Sequence, residues 1–184
     1  MRKVFWQNMV SLDGFIEGPK GPWDIDWHVV DDDFGDYATK MLSTIDAIIL
    51  GRVTYEGFAA YWPSSTDAEA AAMNELPKIV FSRTLEKVEW QNSRLVKDNI
   101  AAEVSRLKQQ PGKDIAMFGS ADLASTFMRL DLIDEYRIMV NPVVLGGGAP
   151  LFKDVKERMH LRLLQTETLS SGVVVLYYEP ESRQ

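Results

Sequence analysis

The sequence has no cysteine and only two histidines, His28 and His160. Disulfides and thiolate nucleophiles are therefore excluded, as are the usual cysteine-rich or multi-histidine zinc sites, and no metal is expected. No apolar run approaches the ~20 residues needed to cross a bilayer. The start, Met1-Arg2-Lys3-Val4-Phe5-Trp6-Gln7, carries a basic pair but no long apolar core or cleavage site. It reads as a first strand rather than an export signal, so a cytoplasmic location is expected. Positive charge is in short supply: 20 Lys and Arg face 27 Asp and Glu, a net charge of −7. Such a balance argues against non-specific binding to nucleic acid or anionic membranes, yet leaves room for a local basic pocket. A Gly-x-Ser-x-Gly elbow is also missing, which disfavours an unrelated doubly wound hydrolase.

The 184 residues are 46% apolar and 26% charged. A chain of this size buries roughly 70% of its unfolded surface and needs no staple to fold. One domain spanning residues 1–184 is expected.

Apolar runs predict strands at Val4–Val10, Asp46–Leu50, Lys78–Phe81, Arg94–Val96, Asp114–Phe118 and Glu135–Val140. Helices are predicted between them. One opens at Asp31–Asp33 and carries Phe34, Tyr37, Met41 and Ile45 at helical spacing. Others run from Gly51 to about Tyr61, over 67–76, over Asn99–Gln109 and from Gly119 onward. Residues 17–24 and Asn141–Pro150 read as Gly-rich loops, and Leu161–Leu169 with Val173–Tyr178 reads as a hairpin. Strand–helix alternation implies a mostly parallel sheet covered on both faces, with antiparallel strands at the end.

Ligands of open α/β sheets bind beyond the carboxyl ends of the strands. Three such ends here suit phosphate: Leu50-Gly51-Arg52-Val53-Thr54, Phe81-Ser82-Arg83-Thr84 and Phe118-Gly119-Ser120-Ala121. Glycine lets backbone approach, a helix start offers free N–H groups, and arginine adds paired donors. Three in one sheet point to a polyphosphate ligand. Gln7 and Asn8 lie within an apolar strand, where unpaired amides are costly. Either neighbouring backbone satisfies them or they floor a ligand pocket. The triple glycine at 146–148 is open in the same way, as a phosphate cradle or a plain turn. Trp23 and Trp27 either lid the cleft or edge the core, and His28 is a nearby titratable group.

Ala47-Ile48-Ile49-Leu50-Gly51-Arg52-Val53-Thr54-Tyr55-Glu56 resembles the Gly-Arg-x-Thr segment of dihydrofolate reductases. Ser11-Leu12-Asp13-Gly14-Phe15-Ile16 resembles the segment after the first strand of the riboflavin-biosynthesis reductase domain, the C-terminal domain of bifunctional deaminase–reductases. Met117-Phe118-Gly119-Ser120-Ala121 resembles the Gly-rich turn of both families, and residues 141–152, Asn-Pro-Val-Val-Leu-Gly-Gly-Gly-Ala-Pro-Leu-Phe, resemble the riboflavin-reductase pattern. The chain is thus identified as a member of the dihydrofolate-reductase-like superfamily, in its riboflavin-reductase-like branch.

The resemblance implies a three-layer α/β sandwich with a mostly parallel sheet of about eight strands and an antiparallel C-terminal hairpin. It implies an NADPH-dependent reductase that passes hydride to a small heterocyclic or sugar-linked substrate. The riboflavin-pathway 5-amino-6-(5-phosphoribosylamino)uracil or a dihydrofolate-like compound would be the type. An NADPH-binding sensor or partner module without turnover is the alternative. By motif, Gly51, Arg52 and Thr54 would hold the pyrophosphate and ribose phosphate. Ser82 and Arg83 would surround the 2′-phosphate. Gly119, Ser120, Ala121 and Asp122 would pack under the pyrophosphate and nicotinamide, and backbone at Met9 and Ile16 would bind the carboxamide. Asn8, Asp13, Trp23, Tyr37 and Phe58 are expected on the substrate side, Asp13 fixing its own turn rather than moving a proton. The Asp31–Asp33 run either is a solvated helix start or supplies the proton, in which case Asp32 or Asp33 is the source; an ordered water is the other source. The Pro-Trp-x-x-Pro loop of the dihydrofolate enzymes is half present, as Gly21-Pro22-Trp23-Asp24, and the zinc-binding deaminase domain is absent. The apolar Val173–Tyr178 segment is expected to join a homodimer.

Overall fold

Alternate residues of neighbouring strands feed two separate apolar cores, one on each face of a single sheet. In the computed structural model, which describes residues 1–181, Val4, Trp6, Ile49, Ile115 and Met117 pack into one core. Their neighbours Phe5, Ile48, Leu50 and Ala116 pack into the other. The period-2 side-chain alternation of strands therefore explains why these strands read as unbroken apolar runs: both faces are covered.

The strands are β1 (Val4–Ser11), β2 (Phe15–Glu17), β3 (Ile45–Gly51), β4 (Lys78–Phe81), β5 (Ser93–Val96), β6 (Asp114–Phe118), β7 (Glu135–Asn141), β8 (Ala149–Pro150), β9 (Leu161–Thr168) and β10 (Val174–Pro180). Eight of them form one sheet in the order β5-β4-β3-β6-β1-β7-β10-β9. Pairing is parallel from β5 to β7 and antiparallel through β10 and β9. The helices are α1 (Asp32–Ser43), α2 (Arg52–Tyr61), α3 (Ala70–Glu75), α4 (Ile100–Gln109) and α5 (Ala121–Arg129), with a 3₁₀ turn at Trp62–Ser64. Helices α4 and α5 bury Val104, Leu107, Leu123 and Phe127 on one face. Helices α1, α2 and α3 bury Tyr37, Met41, Tyr55 and Met73 on the other. This is the expected three-layer sandwich.

Helix α1 starts where carboxylates favour it. Asp31 is the N-cap and accepts from the Phe34 N–H at 2.9 Å, and Asp32 and Asp33 meet the positive dipole end. The helix stops at Ser43, so Ile45 belongs to β3 rather than to the helical run expected of it. One further expectation changes. The 141–150 loop is not wholly irregular, because Ala149–Pro150 pairs antiparallel with β2. In the Val173–Tyr178 segment Val173 and Val175 are fully buried, while Val174, Leu176, Tyr177 and Tyr178 of β10 are half-buried between β7 and β9. The sheet edge on this side is β9, where Leu163 and Leu164 are exposed. Among the described residues no helix is long and apolar enough to cross a membrane.

Candidate cofactor and substrate cleft

Strands β3 and β6 are neighbours, but their following helices leave to opposite faces. Such a divergence opens a crevice at the carboxyl ends of a doubly wound sheet. The first turns of α2 and α5 face each other across it. Gly51, the N-cap of α2, makes no side-chain cap bond, and neither does Ser120 at the start of α5. Both helices thus leave first-turn N–H groups for a ligand, and each contributes a positive dipole end.

The approach of the two turns is close. A Cβ at Gly51 would overlap the Ser120 hydroxyl, and one at Gly119 would lie 2.6 Å from Thr54 Oγ1. Gly119 also sits at φ +59°, where glycine is favoured. The Thr54 and Ser120 hydroxyls bridge the crevice at 3.0 Å. Beneath them the Trp6 indole N–H donates to the Gly119 carbonyl at 3.0 Å, tying the turn to the sheet.

A cleft of about 2110 Å³ extends from this crevice along the carboxyl ends of the strands. It is lined by all eleven of the expected cofactor residues: Met9, Ile16, Gly51, Arg52, Thr54, Ser82, Arg83, Gly119, Ser120, Ala121 and Asp122. Ser82 Oγ accepts from the N–H groups of Thr84 and Leu85 at 3.2 and 3.1 Å, so it shapes the turn that carries the exposed Arg83. Asp122 pairs with Lys153 at 2.6 Å. Three lining cations had no motif around them: Lys97, Arg129 and Lys153. Lys97 follows β5 and Ser82 follows β4, and the two strands are in register at Phe81 and Val96. That places Lys97 next to the Ser82–Arg83 turn.

The substrate-side expectations divide. Asn8, Trp23 and Phe58 line the cleft. Trp23 stands at φ +67° with its ring on Gly57, where a Cβ would fall inside it, and its centroid is 6.5 Å from that of Phe58. Tyr37 does not reach the cleft. It is buried behind Gln7, whose Oε1 accepts its hydroxyl at 3.0 Å; burial, with the Tyr177 hydroxyl next, raises its pKa. Asp13 is also outside. It accepts from Ser11 Oγ and from the N–H groups of Leu145 and Gly146, and so holds the Gly-rich loop. The Ser11 bond, followed by the Leu145 N–H, lowers its pKa.

Of the two expected acids, Asp32 lines the cleft and Asp33 does not. Asp33 turns to the far side of α1, where its carboxylate accepts from the Ser170 N–H at 2.8 Å. The Ser170 hydroxyl and N–H hold it below the usual carboxylate range. A carboxylate so held is a poor proton source, and it is on the wrong side of the helix. His28 does line the cleft, and burial pushes its imidazole down to about 4, so it is neutral at pH 7. Its Nε2 is shut from solvent without a hydrogen-bond partner among the described residues.

Comparison with known proteins matches residues 2–175 to the family model described as RibD C-terminal domain. The uncharacterised protein YyaP of Bacillus subtilis strain 168 is 42% identical over 182 residues, covering 96% of this chain and 94% of YyaP. Among solved structures, a putative riboflavin biosynthesis protein from Shewanella sp. PV-4 superimposes with a TM-score of 0.78 at 22% identity, over 97% of this chain and 99% of that one. A dihydrofolate reductase from Enterococcus faecalis, complexed with NADP(H), superimposes with a TM-score of 0.64 at 12% identity, over 98% and 97% of the two chains.

Proposed function

Because the chain belongs to the RibD C-terminal domain family, we propose that it is an NADPH-dependent reductase of a small heterocyclic substrate. The observation that carries this reading is the pair of uncapped helix starts, α2 and α5, facing each other at a crevice with no room for a Cβ at Gly51 or Gly119. A pyrophosphate fits that cradle. It accepts N–H donors on both sides, and the glycines let the backbone come close.

Bound NADPH supplies the hydride; the chain supplies position, charge and a proton route. The N–H groups of the first turns of α2 and α5 hold the pyrophosphate, with Arg52 at the rim. Arg83 and Lys97, on adjacent strand ends, take the 2′-phosphate, which favours NADPH over NADH. Backbone at Met9 and Ile16 holds the carboxamide end. Asp32 delivers a proton to the product side, through its carboxyl oxygen or through a water that it holds. Trp23 and Phe58 cover the substrate and exclude bulk water.

Thermal unfolding with and without nucleotide tests this. A ligand at a hundred times its Kd adds about 2.7 kcal/mol, enough to raise Tm by several degrees in a domain of this size. NADPH is expected to do so at lower concentration than NADH. No shift with either nucleotide removes the reading.

A further inference from the structure

The main sheet ends in two very different edges, β5 and β9. Strand β5 is four residues long, and its Arg94 is held by Glu103. Strand β9 is eight residues long, and Arg162, Leu163, Leu164, Gln165 and Thr166 are exposed in succession. Among the described residues no strand lies on its outer side. An edge of this kind is normally short, covered, or interrupted by proline or lysine, because an open row of backbone N–H and C=O groups accepts another strand. Strand β9 has neither proline nor lysine.

Its one irregularity sets up a pattern. Gln165 stands opposite Tyr177 of β10 but Leu163 stands opposite Tyr178, so Leu164 is an extra residue, a bulge. In an unbroken strand Arg162 and Glu167, five apart, would point to opposite faces. Here they share one. Arg162 is opposite Glu179, Gln165 opposite Tyr177 and Glu167 opposite Val175, and those three β10 residues alternate along a single face. Arg162 pairs with Glu179, and Glu167 accepts from the Tyr177 hydroxyl at 3.2 Å. Leu161, Leu163, Thr166 and Thr168 take the other face, beside Val174 and Leu176. Those two β10 residues are half-buried and join neither core among the described residues.

With the bulge counted, β9 is complementary to itself. Two copies laid antiparallel about a two-fold axis at Gln165 are in register over the whole strand. Gln165 meets the partner's Gln165, Thr166 meets the partner's Leu163, and Thr168 meets the partner's Leu161. Arg162 faces the partner's Glu167, and symmetry makes that ion pair twice. Opposite charges directly across a strand pair stabilise it, and like charges destabilise it. An isologous interface demands such self-complementarity, and the strand supplies it without any other sequence.

We propose that β9 is the interface of a homodimer, pairing antiparallel with β9 of a second copy and continuing the eight-stranded sheet across the axis. The two uncharged strips around Leu163 and Leu176 then lie side by side, and the exposed backbone row is paired. This surface is on the far edge of the sheet from β3 and β4, so it stands whether or not the cleft binds NADPH.

The test is sedimentation velocity of the whole protein, wild type, Arg162→Glu and Glu167→Arg, with circular dichroism to confirm folding. Wild type is expected to be a dimer that weakens as salt rises. Each variant alone sets like charges across the axis twice, and its dimerisation is expected to weaken at least tenfold. An equimolar mixture of the two variants restores both ion pairs in a heterodimer, so dimer is expected to return. A second probe keeps the native charges. The chain has no cysteine, so Gln165→Cys carries a single thiol, about 4.5–5.5 Å from its counterpart measured between Cβ atoms. A short bis-maleimide is expected to join Gln165→Cys into a covalent dimer and to leave Arg94→Cys, on the opposite edge, monomeric. The proposal is overturned if wild type is a monomer, if the folded single variants dimerise as wild type does, if their mixture stays monomeric, or if Gln165→Cys cross-links no better than Arg94→Cys.

Discussion

The Thr54 hydroxyl lies 3.0 Å from the Ser120 hydroxyl, and this contact joins the first turn of α2 to the start of α5 across the crevice. It ties together the two helix starts proposed to share the pyrophosphate. Thr54→Val keeps the shape and removes the hydroxyl. One lost hydrogen bond is worth about 1 kcal/mol, so NADPH affinity is expected to fall roughly five- to tenfold. Calorimetry checks it, with circular dichroism to confirm the fold.

Gly51→Ala addresses the same cradle from its backbone. The new methyl group meets the Ser120 side chain, which must move. Overpacking of this kind costs roughly 1–3 kcal/mol. A lowered denaturation midpoint together with loss of NADPH binding is expected. Unchanged affinity would show that the two helix starts need not stand this close.

Asp32 and Asp33 separate by their surroundings. Asp33→Asn is expected to leave turnover within about twofold, since that side chain engages only Ser170, on the far side of α1. Asp32→Asn is expected to slow the chemical step by roughly 10²-fold or more, the range of general acid catalysis. Single-turnover NADPH oxidation with a reducible aminoheterocycle measures both. Equal losses at the two positions would count against this assignment.

Gly57→Ala tests the Trp23 lid. The ring occupies the space of the new methyl group, so the indole must swing away. Stronger acrylamide quenching of tryptophan fluorescence is expected, with about 1 kcal/mol of destabilisation and little change in NADPH affinity.

Lys78 gives a pH-dependent signature of stability. It is fully buried, and its Nζ donates to the carbonyls of Met73 and Asn74 and lies 4.1 Å from the Trp90 ring centroid. Burial pushes its pKa down to about 8 from an ordinary 10.5. Between those values the unfolded chain binds more protons than the folded one, so this group makes stability rise with pH there. Its slope is at most about 1.4 kcal/mol per pH unit. Urea unfolding of wild type and Lys78→Met at pH values from about 8 to 9.5 is expected to show the slope only in wild type.

Much of this architecture was legible from local pattern. The three strand ends that meet at the cleft each carry a glycine or hydroxyl residue at a strand-to-helix or strand-to-turn junction, and such junctions have short-range signatures. The β2–β8 pair was not legible, because three residues at Phe15–Glu17 and two at Ala149–Pro150 are too few to show a period. Asp32 and Asp33 could not be told apart either. Neighbours on a helix point about 100° apart, and only the packing of α1 shows which side meets the cleft. Tyr37 was placed in the cleft by analogy, but the Gln7 side chain stands in front of it.

The central claim is that the Ser82–Arg83 turn of this cleft holds NADPH through a charge on Arg83, and titration calorimetry of NADPH and NADH against wild type and Arg83→Ala tests it most directly. Charge-assisted hydrogen bonds to a phosphate are worth about 1.5–3 kcal/mol, so the variant is expected to lose roughly ten- to a hundredfold in NADPH affinity while NADH binding stays unchanged. Binding of neither nucleotide to wild type, or equal binding of both with no effect of Arg83→Ala, would contradict the account.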